Sequence, residues 1–109
     1  MPKFVTIGYG DQDGYDRTED GPKALAHEHD ARLAEAGAVV GIAGPPVQVR
    51  NHGARGVGTA AGPFMRSDLP IAGFALLEAA DLEEAIRLVA MTPCAVAFGV
   101  VEVWPLVEA

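Results

Sequence analysis

Polar and apolar residues alternate over Lys3 to Tyr9 (KFVTIGY), with Phe4, Thr6 and Gly8 on one side and Val5, Ile7 and Tyr9 on the other. This period of two predicts a strand. Gly10 to Glu19, with three Asp and two Gly, reads as a loop. Asp20-Gly21-Pro22 then opens a helix, because Asp20 can cap it and proline suits a first turn whose N–H groups lack intrahelical partners. The run to Ala36 is rich in Ala, Leu and Glu, which favour helix, and Gly37 stops it. At about 100° per residue, Leu25, His29, Leu33 and Ala36 form one stripe. Glu28, Arg32 and Glu35 flank it on one side and Lys23 and Asp30 on the other, while His27 points the opposite way.

Ala38 to Ala43 predicts a second strand, closed by Gly44-Pro45-Pro46. Val47 to Arg50 is a short third strand, Asn51 to Arg55 a turn, and Gly56 to Ala61 pairs back as a hairpin arm. Gly62 to Pro70 connects to a central strand, Ile71 to Glu78. Asp81 caps a second helix, with Glu84 at the capping-box position and Leu82, Ala85, Ile86 and Val89 as its apolar stripe. Thr92-Pro93 ends that helix, since a residue before proline resists the helical region. Ala95 to Val103 is the last strand, terminated by Trp104-Pro105.

This order predicts an α+β fold, the ferredoxin-like βαββαβ arrangement with an inserted β arm. Both helices then cover one face of an antiparallel sheet. The strands carry apolar residues on both sides (Val39, Val40 and Ile42; Phe74, Leu76 and Leu77; Phe98, Val100 and Val101), so the uncovered face is apolar too. Such a face predicts a homodimer in which two sheets close into a dimeric α+β barrel.

Composition narrows the classes. The 109 residues suit one domain, 1–109, and the 50% hydrophobic content suffices for a core built from Val, Leu, Ile and Ala, since only 6% is aromatic. The net charge of −7 without a basic cluster argues against nucleic acid and anionic membrane surfaces as partners. The single cysteine, Cys94, excludes an internal disulfide and a multi-cysteine metal site. Met1 to Val5 does not start a signal peptide, and Cys94 to Val101 is too short to span a bilayer. A cytoplasmic protein with no metal and no cofactor is the expectation.

Among titratable residues, His29 stands in the middle of the stripe that should face the sheet. An imidazole with an ordinary pKa of about 6.5 is a proton carrier near neutral pH; in a core it equally serves as a hydrogen-bond partner for a backbone carbonyl. His27 is its rival, but the wheel turns it towards solvent or a subunit contact. A metal held by His27, His29 and Asp30 is disfavoured, because helical positions two apart diverge by about 200°. Arg50, at a strand end, suits a carboxylate or phenolate ligand or a surface ion pair. Tyr9 offers a hydroxyl to a pocket or packs in a core. His52 reads as a solvated turn residue. The glycines at 8, 10 and 14 do not match a phosphate-binding fingerprint, and Cys94 follows a helix end, where nothing activates a thiol.

Three passages resemble the YCII-related family and its DGPF-type subgroup. They are Leu33 to Val40 followed by Ala43-Gly44-Pro45; Gly62-Pro63-Phe64; and Ala72 to Ala85, with a closing Val101 to Leu106. They cover nearly the whole chain in matching order. His29 to Leu33 resembles the family's histidine-bearing helix, although counting back from Ala43-Gly44-Pro45 aligns His27 instead. The resemblance implies a ferredoxin-like homodimer, a cleft between sheet and helices, and a His–Asp pair in it. The DGPF aspartate is Ala61 here, and the acid of the Asp-Pro after the second helix is Thr92. Two functions therefore stand. One is a small-molecule enzyme, a cofactor-free lyase or isomerase with His29 as proton carrier and Tyr9 or Arg50 orienting the ligand. The other is a non-catalytic metabolite-binding or regulatory module.

Overall fold

The computed structural model describes residues 1–108. The chain is a mixed α+β protein with an antiparallel four-stranded sheet and a separate two-stranded hairpin. Its elements are β1 (Lys3–Tyr9), α1 (Gln12–Arg17), α2 (Asp20–Glu35), β2 (Val39–Ile42), β3 (Val47–Arg50), β4 (Gly58–Ala61), β5 (Ile71–Glu78), α3 (Leu82–Val89), α4 (Pro93–Val96) and β6 (Val100–Leu106). A single 3₁₀ turn, His52–Ala54, stands between β3 and β4. The main sheet runs in the order β2-β5-β1-β6. Among the described residues, no helix is long and apolar enough to cross a membrane.

The alternation in β1 sets the two faces of the sheet. Phe4 pairs with Leu77 and Pro105, and Thr6 with Ala75 and Val103. This face meets the helices. Phe4, Leu77, Ala79, Ala85 and Val89 form its buried core, with Ala38, Leu88, Val101 and Val103 packed against them. On the other face Val5 pairs with Leu76 and Trp104, and Ile7 with Phe74 and Glu102. There Val39, Phe74, Leu76, Val100, Trp104 and Leu106 are all exposed.

Local chemistry shapes the helices. Asp81 caps α3 as its spacing predicts, its Oδ1 accepting from the Glu84 N–H at 2.8 Å. The Glu84 carboxylate reaches back to the Ala80 N–H at 3.0 Å. In α3, Ala85 and Val89 are buried, whereas Leu82 and Ile86 are half-exposed. In α2 the buried positions are Ala26 and Leu33, and Leu25 is exposed. The inward stripe is thus rotated from the expected one. Alanine at the contact lets the helix approach closely, and the bulkier Leu25 is turned out.

Three local expectations are corrected. The polar segment after β1 contains a helix, α1, because Asp11 caps it by accepting from the Gly14 N–H at 2.8 Å. Gly14 is buried in α1 and packs against the backbone of Ala97. Second, α3 stops at Val89 and Thr92 is extended before Pro93, as expected, but Pro93 then starts a further helix, α4, in the first-turn position it suits, where a strand from Ala95 was expected. Third, the last strand begins at Val100, after Phe98 with φ 60°, and runs through Trp104 and Pro105. A proline fits there because β6 is an edge strand and need not donate on its open side.

The hairpin forms as expected, with Val47 opposite Ala61 and Arg50 opposite Gly58. Its tip is tied by the Asn51 side chain, which accepts from the Gly56 N–H at 3.0 Å. Val47, Val49, Val57 and Phe64 are exposed along it. This arm stretches the molecule: the radius of gyration is 15.8 Å, against about 13 Å for a globular chain of this length.

Candidate functional site

His29 sits on the inner side of α2, and its Nε2 donates to the carbonyl oxygen of Leu88 at 2.6 Å. That carbonyl belongs to the last turn of α3, where backbone acceptors have no intrahelical partner. The imidazole thus ties α2 to the end of α3. His27 lies on the outer side, exposed, with Nε2 2.9 Å from the Tyr15 hydroxyl. Its ring meets the Tyr15 ring edge-on, with centroids 5.8 Å apart. Its neighbour is therefore α1, the helix that stands where a loop was expected.

Asp30 is half-buried beside these two histidines. Burial raises its carboxyl pKa, an effect that the charges of His27 and His29 partly offset. Cys94 is half-buried on α4, and burial, followed by the Asp30 charge, raises its thiol. Cys94 therefore stands in the first turn of a helix, not after a helix end as expected, and its raised thiol is a poor nucleophile. Among the described residues no group of three His, Cys, Asp or Glu could hold a metal.

Tyr9 belongs to the other side of the sheet. Its hydroxyl donates to Glu102 Oε1 at 2.5 Å, although 93 positions separate the two residues. The bond to Glu102, burial and the carboxylate charge, in that order, raise the phenol pKa. Sequence reasoning did not single out Glu102. Its signal was an acid in phase with Val100 and Trp104 in an apolar strand, which places a carboxylate on the greasy face.

Tyr9 also lines a cavity of about 420 Å³ with Pro63, Met65, Arg66, Ser67 and Leu69. A second cavity, about 330 Å³, lies at the base of the hairpin and is lined by Arg50, Gln48, Phe64 and Pro63 among others. Arg50 Nη2 donates to Gln48 Oε1 at 2.9 Å, and its guanidinium stands 5.7 Å from the Phe64 ring centre. His52 is exposed at the hairpin tip, in the turn expected for it. The structure thus brings Tyr9 and Arg50 to neighbouring cavities. It does not bring His29 to either one: His29 is in the helix layer, and the sheet stands between it and the Tyr9 hydroxyl. Arg66 and Ser67, in the connection before β5, are further cavity residues that sequence reasoning passed over.

No protein-family model matches this sequence, and no curated protein matches it. The site must therefore be read from its own chemistry.

Proposed function

We propose that this chain is a YCII-related, ferredoxin-like cytoplasmic subunit of a homodimer that binds a small organic ligand in the Tyr9 cavity. The observation that carries the binding reading is the cavity of about 420 Å³ with the Tyr9 hydroxyl already oriented by Glu102. A concave apolar wall with a few fixed polar groups is the usual make-up of a small-molecule site. Support for the ferredoxin-like reading comes from the strand order: counting only main-sheet strands along the chain, β2-β5-β1-β6 reads second, third, first, fourth.

Surface area supports the dimer. The chain exposes 7564 Å², whereas a folded monomer of 11.3 kDa exposes about 5,700 Å². The excess is larger than the roughly 800 Å² each partner gives to a standard interface. Part of that excess belongs to the extended hairpin arm; the exposed apolar residues of the sheet face are what a second copy would cover, presenting the same face in return.

A catalytic reading, a lyase or isomerase with His29 as proton carrier, draws support from the carboxyl of Asp30 beside the ring. The binding reading is preferred because the His29 Nε2 is committed to Leu88 and the ring lines neither cavity.

Sedimentation equilibrium is the test of the dimer. Twice the 11.3 kDa chain mass is expected, and Leu76→Asp, a charge in the centre of the exposed face, should halve it. A monomer in the wild type overturns the dimer. Amide shift mapping with a panel of neutral fragments tests the pocket: saturable shifts at residues 63–71 support it, and no shift there with any fragment refutes it.

A further inference from the structure

We infer that the two cavities form one groove for a small organic anion, with Arg66 and Arg50 as its cationic ends and Pro63 at the join. This rests on the small-ligand reading above and names the ligand's charge class. The cavities share Pro63, so they are adjacent along the foot of the hairpin. Arg50 lines one, and Arg66 with Ser67 lines the other. Among the described residues no Asp or Glu lines either of them, in a chain with fifteen acids against eight Lys and Arg. The lining itself thus carries only positive charge, with the Glu102 carboxylate held behind the Tyr9 hydroxyl and Asp68 between Ser67 and Leu69 as the nearest acids along the chain and the hydrogen bonds.

The guanidinium groups there are also uncompensated. Arg17 and Arg32 each have a carboxylate partner one helical turn away, Asp13 and Glu28. Neither Arg50 nor Arg66 has one among the described residues, a property they share with Arg55 and Arg87, which line neither cavity. Arg50 is instead held by the neutral Gln48 amide and the Phe64 ring, which fix its direction without cancelling its charge. A guanidinium on a concave wall attracts carboxylates through paired N–H donors, although solvent reaches both arginines here and weakens the contact. Beside the polar Gln48, Tyr9 and Ser67, the wall has an apolar part made of Val47, Val49, Met65, Leu69 and Ile71. The ligand class is therefore a small carboxylate with an apolar body. Large polyanions are repelled by the net charge of −7.

The test compares hexanoate with its neutral isostere hexanamide by amide shift mapping on the full chain. Saturable hexanoate shifts are expected at residues 46–50 and 62–71, with hexanamide at least about tenfold weaker, the difference a charge-assisted contact makes. Arg66→Gln and Arg50→Gln should each weaken hexanoate by a similar factor and leave hexanamide unchanged. Both arginines are exposed, so the variants should fold, and unchanged shifts elsewhere verify this. Equal affinity for hexanoate and hexanamide overturns the anion assignment while leaving the pocket reading intact. Binding of neutral fragments without binding of hexanoate overturns it in the same way. If neither hexanoate nor any neutral fragment shifts these residues, both readings fall.

Discussion

The Nε2 of His29 and the carbonyl oxygen of Leu88 are 2.6 Å apart, 59 positions from one another in the chain. This bond gives the most conspicuous histidine in the sequence a structural partner. It closes the C-terminal turn of α3 and fixes α2 beside it, which positions the helix layer over the core of Phe4, Leu77 and Val89.

Replacing His29 with Ala should therefore cost about 1–3 kcal/mol, the penalty for a partly buried carbonyl left without its donor. Urea unfolding is the measurement, with a lower midpoint and an unchanged slope expected. The proposed dimer should persist in the absence of denaturant, since His29 lies on the opposite side of the sheet from the exposed apolar face. An unchanged midpoint would mean that the bond contributes nothing.

The Tyr9 phenol should ionise above the usual tyrosine value of about 10, because its hydroxyl donates to the Glu102 carboxylate. Absorbance near the phenolate band, wild type minus Tyr9→Phe, isolates this titration. Glu102→Gln removes the charge and should move the titration down towards the ordinary value. An identical curve in both backgrounds would show that the pair does not form in solution.

Asp30 gives a pH signature of definite sign. Its folded pKa is raised by burial, so the folded chain binds that proton more readily than the unfolded chain does. The stability it contributes is present below the unfolded pKa and is lost as pH rises through the folded one. Asp30→Asn should accordingly be more stable than wild type at neutral pH, and the difference should shrink as the pH falls through the carboxylate range. Urea midpoints of the two proteins from acid to neutral pH decide this; a difference that grows on acidification contradicts it.

Gly8 is required by a close approach. A Cβ built there would lie 2.8 Å from Cys94 Sγ and 3.3 Å from Cys94 Cβ, so α4 rests directly on the bare backbone of β1. Gly8→Ala should cost about 1–3 kcal/mol through overpacking. Adding Cys94→Ala should return part of that loss, with a coupling of about 0.5–3 kcal/mol in a double-mutant cycle. Strict additivity of the two changes would rule out the contact.

Much of the fold could be read along the chain. The period of two in β1, the apolar run of β5, the Asp81–Glu84 capping pair and the hairpin β3–β4 all appear where the sequence places them. These features depend on residues a few positions apart, and here the packing agrees with their local preferences. The Asp11 cap and the Pro93 start of α4 were also written locally, but their glycine- and proline-rich settings resemble loops.

The sequence by itself therefore determined the strands, the two longer helices, the net acidity and the candidate side chains. Tertiary structure decided what those side chains meet. It put His29 against Leu88, Tyr9 against Glu102, and Arg50 and Arg66 around Pro63. The reason is range: periodicity and capping are set within one or two turns, whereas the His29–Leu88 and Tyr9–Glu102 contacts join residues 59 and 93 positions apart, which meet only once the elements pack around the sheet β2-β5-β1-β6. That order brings β6, from the far end of the chain, beside β1 and so sets Glu102 against Tyr9.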